Sequence, residues 1–147
     1  MTQGLALTVV GNLTGDPEMR FTQSGTAVAT FTVASTPRYR DKTGEFQDGP
    51  TSFVRCTAWR SLAEHVAESL RRGARVVVVG ELRQREFETA EGDKRRTWEL
   101  TAEEVGPSLL YANATVRKVG RGSAGTAPPD DEFTQPKAGP TAVPNVA

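Results

Sequence analysis

Rings and guanidinium groups recur side by side in this chain. Arg38-Tyr39-Arg40, Phe53-Val54-Arg55, Trp59-Arg60, Arg83-Gln84-Arg85-Glu86-Phe87 and Arg95-Arg96-Thr97-Trp98 each set an aromatic residue within two positions of an arginine. In a strand, side chains of equal parity share a face. Phe53, Arg55, Thr57 and Trp59 would therefore point together, and so would Arg83, Arg85 and Phe87. A face that mixes planar rings with guanidinium forks suits single-stranded nucleic acid, because unpaired bases stack on the rings while arginine holds phosphates or stacks as well. Duplex DNA hides its base faces and would gain little from exposed rings.

The competing use of these aromatics is a hydrophobic core, and Phe31 and Phe21 are assigned to it. Phe53 and Trp59 are not. Arg55 and Thr57, between them, are poor core neighbours, whereas Val54, Cys56 and Ala58 on the other parity make a better interior. Tyr39 and Phe87 lie near loop ends and fit either use. Trp98 shares parity with Arg96 and stays open.

Little else in the sequence could do chemistry. His65 is the only histidine and Cys56 the only cysteine. His65 reads as a helix-surface residue and Cys56 as a small buried side chain. There is no Gly-Lys-Ser/Thr phosphate loop and no spacing of metal ligands, and the turn glycines Gly11 and Gly15 are a weak phosphate signal. Neither catalysis nor a bound metal or cofactor is expected. One cysteine cannot staple the fold, although in a symmetric oligomer two copies of Cys56 could meet across an axis and oxidise.

These side chains need a frame. The chain has 147 residues, with 18 Lys+Arg against 18 Asp+Glu. That length allows one compact domain plus some extra chain. The zero formal charge excludes a polycation, so nucleic-acid binding has to come from a local surface. The longest apolar run, Val76 to Val79, is far short of the ~20 residues of a membrane span. No basic-then-apolar leader opens the chain, so secretion is not expected and a cytoplasmic, nucleoid-associated location is. Residues 121–147 hold five of the nine prolines and almost no bulky apolar side chains. A folded domain over 1–119 and a disordered Pro/Gly/Ala-rich tail over 120–147 follow.

Within the domain the alternation predicts strands at about 5–10, 26–34, 51–59, 75–84 and 95–101, with Gly11 marking a bulge or bend. Ala90 to Asp93 reads as a hairpin tip. Leu110, Ala112, Ala114 and Val116 alternate with more polar residues and predict one further strand. Between the third and fourth strands, Ser61 and Glu64 have the spacing of a capping box, Leu62, Val66 and Leu70 with Ala63 and Ala67 form an apolar stripe, and Gly73 supplies a stop. Three strands, a helix and two strands is the order of an OB-fold, an all-β five-stranded Greek-key barrel with one helix. The stretches 39–50 and 84–96 are long enough to project beyond it.

At this level the chain resembles the bacterial single-stranded DNA-binding proteins. The resemblance rests on Val9-Val10-Gly11-Asn12-Leu13, Asp16-Pro17-Glu18 with Arg20-Phe21, Ala27-Val28-Ala29 with Phe31, and Arg40-Asp41-Lys42. It continues through Leu62-Ala63-Glu64, Leu70-Arg71-Arg72-Gly73, Gly80-Glu81-Leu82-Arg83 and the hairpin from Phe87 to Trp98. It is colinear over about 4–105. Glu103, Val105 and Gly106-Pro107-Ser108 with the further strand resemble the actinobacterial branch, where that strand clamps neighbouring subunits.

The resemblance implies an OB-fold homotetramer that binds and protects single-stranded DNA without catalysis, in replication, recombination or repair, with no membrane partner. It places base-stacking rings at Tyr39, Phe53, Trp59 and Phe87, with tryptophan usual in the family where the first, second and fourth stand. It places cationic contacts at Arg55, Arg72, Arg83, Arg85 and Arg95. Ser61 replaces a common lysine, with Arg60 beside it as a substitute. The usual tail ends in acidic residues and Pro-Phe, which recruit replication and repair enzymes. This chain ends Pro144-Asn145-Val146-Ala147, and Asp130-Asp131-Glu132-Phe133 is internal. Recruitment of replication or repair proteins through that tip is therefore not expected, and a secondary paralogue of narrower role is. The rival reading is an OB-fold module for another single-stranded ligand, such as RNA or a primosome component.

Overall fold

A computed structural model of the chain describes residues 4–120. The tail expected over 120–147 lies outside them from Arg121 onward. One compact unit ends at Asn113, and residues 114–120, assigned to a second, hold neither helix nor strand.

The first unit is built from strands. They are β1 (Leu5–Leu13), β2 (Glu18–Phe21), β3 (Ala27–Ser35), β4 (Arg38–Arg40), β5 (Phe46–Asp48), β6 (Ser52–Trp59), β7 (Arg75–Glu88) and β8 (Lys94–Pro107), with α1 (Arg60–Ser69) between β6 and β7. The hydrogen-bonded order β1-β7-β8-β6-β3 closes on itself through a β1–β3 pairing. β6 and β8 run parallel, and the other neighbours are antiparallel. This closed Greek-key ring of five strands, with a helix between the third and fourth, is the OB-fold expected from the element order.

Closure depends on two close approaches of backbone. At Gly11 a Cβ would collide with the Ala34 carbonyl, where β1 passes from pairing with β7 to pairing with β3. At Gly80 it would collide with the Thr101 carbonyl, next to the register shift in the β7–β8 ladder. Only glycine allows the bends that let a sheet curl this tightly.

The inward parity is the one the alternation indicates. Ala29, Phe31 and Val33 of β3, Cys56 and Ala58 of β6, Val76 and Val78 of β7 and Leu100 of β8 are all buried. Each fully buried large apolar side chain stabilises the fold by about 1.5–3 kcal/mol relative to exposure. The stripe of α1 joins this core through Ala63 and Val66, with Leu70 at its end.

Six expectations need correction. Six strands precede α1, not three: β2 adds outside the closed ring, and β4 and β5 form a separate two-stranded hairpin. Phe21 is 59% exposed rather than core. Its strand, β2, pairs only with β3 and exposes all four residues, so no face of it borders the interior. Ser61 does not cap the helix. The cap position is Trp59, without a side-chain cap bond, and Arg60 makes the corner from strand to helix with φ of 60°, so Ser61 already lies inside the first turn. Leu70 leaves helical geometry before Gly73, whose φ of 90° then turns the chain into β7.

Within this chain's own barrel the further strand over 110–116 is not formed, since β8 ends at Pro107 and no strand follows it among the described residues. Alternation gives a segment two faces, but a strand also needs an edge to pair with. Cys56 cannot meet a second copy across an axis, because it faces the interior of its own barrel and is fully buried.

Candidate nucleic-acid interface

Because β6 alternates, one strand serves the core and the surface at once. Val54, Cys56 and Ala58 turn inward, while Phe53, Arg55 and Trp59 turn outward. Burial pushes the Cys56 thiol up to about 12, with the nearby Glu99 charge adding to it, so the sulfur behaves as a small apolar filler. Of the rings expected on the surface, Phe53 is 67% exposed, Tyr39 53%, Phe87 50% and Trp59 40%. Four large rings left in water forgo the gain of burial, which is unusual unless a partner covers them.

The register lines up the outward residues across the sheet. Thr32 of β3 lies opposite Arg55 of β6, Arg55 lies opposite Glu99 of β8, and Glu99 lies opposite Arg83 of β7. Two residues outward along the hairpin, Arg85 faces Thr97, and two residues further Phe87 faces Arg95. Past Leu82, which pairs with Leu5, β7 has only β8 as a neighbour, so residues 83–98 form an arm beyond the barrel.

Two open cavities flank Arg55. One, of about 400 Å³, is lined by Arg55, Arg85, Glu86, Phe87, Thr97 and Glu99. The other, of about 200 Å³, adjoins Thr14, Gly15, Asp16, Glu18, Thr30 and Thr32 and again includes Arg55. Arg72 enters at the second end, where its backbone N–H donates to Asp16 Oδ1 at 2.8 Å.

Three carboxylates organise the cations. Glu99 is buried under two guanidinium groups: Arg85 Nη1 donates to Oε1 at 3.0 Å, and Arg55 Nε lies 3.4 Å from Oε2. Arg83 turns instead to Glu81, donating from Nε and Nη2 to Oε1 at 3.0 and 2.7 Å. Arg96 pairs with Glu86 at 3.7 Å, on the opposite face of the arm. Trp98, which shares that face, is exposed.

The structure thus brings Phe53, Arg55, Trp59, Arg83, Arg85, Phe87 and Arg95 onto one outward parity and puts Arg72 at its far end. It does not gather Tyr39 with them. Tyr39 stands on the β4–β5 hairpin opposite Gln47, on the other side from Arg38, Arg40 and Phe46. Sequence reasoning passed over Phe46 and Glu99. Phe46 is exposed, with the Arg38 and Arg40 guanidinium carbons 5.4 and 5.2 Å from its ring centre. The Asp41-Lys42-Thr43-Gly44 turn could have revealed that pairing, since a tip there sets Arg40 opposite Phe46. Glu99 carried no local signal, because its partners come from two other strands. Thr57, outward in parity, is nevertheless buried, and its hydroxyl has no hydrogen-bond partner. Among the described residues no group of three or more His, Cys, Asp or Glu gathers as a metal site.

Such a surface can stack unpaired bases and neutralise phosphates. Comparison with known proteins points the same way. Residues 6–108 match the model of the single-strand binding protein family. The chain is 60% identical over 122 residues to the single-stranded DNA-binding protein of Mycobacterium tuberculosis, covering 82% of this chain and 74% of that one. It is 59% identical to that of Mycolicibacterium smegmatis, with the same coverage. Among solved structures it is similar to the small single-stranded DNA-binding protein from Streptomyces coelicolor, with a TM-score of 0.63 and 32% identity, covering 74% of this chain and 97% of that one.

Proposed function

The chain belongs to the single-strand binding protein family, and we propose from that premise how it holds its ligand. It binds single-stranded DNA. The strand lies along the outward face of β6 and the β7–β8 arm, with bases stacked on Phe53, Trp59 and Phe87 and a further stack on Tyr39 from the neighbouring hairpin. Arg55, Arg83, Arg85, Arg95 and Arg72 neutralise phosphates. The working form is a homotetramer that protects DNA during replication, recombination or repair, without catalysing a reaction and with little preference for sequence. A tail over 120–147 accompanies a folded domain over 1–119, within the cytoplasm. No described helix is long and apolar enough to cross a membrane.

The single observation that carries the binding mode is the outward row of exposed rings interleaved with arginines on β6 and β7. Each ring-on-base stack is worth ~1–3 kcal/mol by alanine substitution, and each neutralised phosphate contributes about −0.7 to the log–log salt slope on single strands. Titration of tryptophan emission with oligo-dT at low and high salt tests it. Quenching is expected, with affinity falling as salt rises, and Trp59→Ala should weaken binding to all base sequences alike. A loss confined to one sequence would contradict the stacking mode. An RNA oligomer of equal length that competes as well as DNA would shift the ligand class.

A further inference from the structure

An acidic side chain at the middle of a phosphate-binding face is electrostatically unfavourable, yet Glu99 sits there. Its side chain is only 10% exposed, while those of Arg55 and Arg85 above it are 58% and 65% exposed. Each carboxylate oxygen takes a different arginine, Oε1 that of β7 and Oε2 that of β6. Arg83, although directly opposite Glu99, is held by Glu81 and so leaves both oxygens to the other two. All three members of the cluster line the cavity of about 400 Å³ that also contains Phe87.

We infer that Glu99 is a positioning residue, whose buried carboxylate fixes the Arg55 and Arg85 guanidinium groups side by side so that a phosphate meets both while its base lies on Phe87. This rests on the proposed binding of single-stranded DNA to this face. A free arginine must lose its rotamer freedom when it grips a phosphate, whereas a guanidinium already anchored at its inner edge has lost most of it on folding. The outer N–H groups stay available, because an arginine has five donors and the carboxylate engages few of them.

The inference makes a prediction opposite in sign to simple charge counting. Glu99→Gln removes a negative charge from the face and keeps the side chain's shape. If the carboxylate only repelled phosphate, the variant would bind oligo-dT more tightly and with a steeper salt slope. As a positioning residue, its loss should weaken binding about tenfold, with a salt slope shallower by up to ~0.7 for each phosphate contact released. In an Arg55→Ala/Arg85→Ala background no guanidinium remains to be positioned, so Glu99→Gln should no longer weaken binding and should tighten it slightly by removing the repulsion.

The unsubstituted protein is titrated in the same series. If it fails to bind oligo-dT, the proposed function falls. If it binds, and Glu99→Gln binds equally or more tightly, or still weakens binding in the doubly substituted background, the positioning role falls. Should Glu99→Gln lose its native circular dichroism, Glu99→Asp decides the matter. It keeps the charge but withdraws it by one methylene from two guanidinium groups, so it should bind more weakly than the unsubstituted protein, and unchanged affinity overturns the inference.

Discussion

The two hairpins that leave the barrel turn in the same way but are organised from opposite ends. In each, a five-residue tip carries glycine fourth with φ of 90°, and the first residue's N–H donates to the fifth residue's carbonyl: Asp41 to Glu45 on β4–β5, Thr89 to Asp93 on β7–β8. The first side chain also accepts the fifth N–H, at 3.0 Å on Asp41 Oδ1 and 3.1 Å on Thr89 Oγ1. The resemblance ends there. β4–β5 is a separate sheet gathered at its tip by Asp41, and one of its two rings, Phe46, already has Arg38 and Arg40 over it. β7–β8 is continuous with the barrel and gathered at its root by Glu99, which holds Arg85 of β7 and Arg55 of β6 to one carboxylate and leaves Phe87 lining an open cavity. A ring already covered by cations is a poorer seat for a base than one beside them.

The largest expected effect separates the two rings. Phe87→Ala should weaken oligo-dT binding by ~1–3 kcal/mol, the worth of one stack. Phe46→Ala should cost less than about 1 kcal/mol, the scale of an exposed cation–π contact. Isothermal titration of the two variants measures both losses. Equal losses would remove the distinction between the arms, and a larger loss at Phe46 would invert it.

Backbone strain gives the next comparison. A Cβ at Gly44 or Gly92 meets open space, so alanine at either position costs only the left-handed conformation, ~1–2 kcal/mol. Although its tip lies beyond the barrel, the β7–β8 ladder runs without a break into the barrel wall, so Gly92→Ala should lower the melting temperature. Gly44→Ala strains a two-stranded sheet outside the wall and should leave global melting nearly unchanged while loosening the hairpin. Equal melting shifts would mean that β4–β5 folds as one unit with the barrel.

The sequence made the barrel legible, and the reason is local. Ala29, Phe31 and Val33, and then Cys56 and Ala58, alternate with residues that make poor core, and the parity of one strand fixes which side is wet. The exposure of Phe53 and Trp59 followed from Arg55 between them. What stayed hidden was non-local or lay at element ends. β2 has four residues with no alternation to mark an interior, because it has none. The Ser61 capping box was chemically sound but displaced, since the corner at Arg60 starts the helix two residues earlier. Glu99 looks like an ordinary surface acid until β6 and β7 bring arginines from 44 and 14 positions away.

The smallest expected effect concerns the tip that is held by a titratable group. Asp41 accepts the Thr43 hydroxyl at 2.6 Å, the Thr43 and Glu45 N–H groups at 2.9 and 3.0 Å, and Gln47 Nε2 at 3.1 Å. These bonds, the Thr43 hydroxyl foremost and partly opposed by desolvation, favour the ionised form and lower its pKa from 3.8 to about 2. A depressed folded-state pKa stabilises the turn fully above the unfolded value, and the contribution is lost as pH falls through the folded one. The β4–β5 tip should therefore hold at pH 4 and loosen only as pH falls toward 2. Thr89, which has the same place in the other tip, has no charge to lose. Because Asp41 is in water, the change should be confined to the hairpin and leave the barrel intact. The amide shifts of Thr43 and Glu45 report it directly, with a midpoint near 2 that disappears in Asp41→Asn. A midpoint near 3.8 would show that the bonds at the tip do not persist in solution, and the two hairpins would then differ only at their roots.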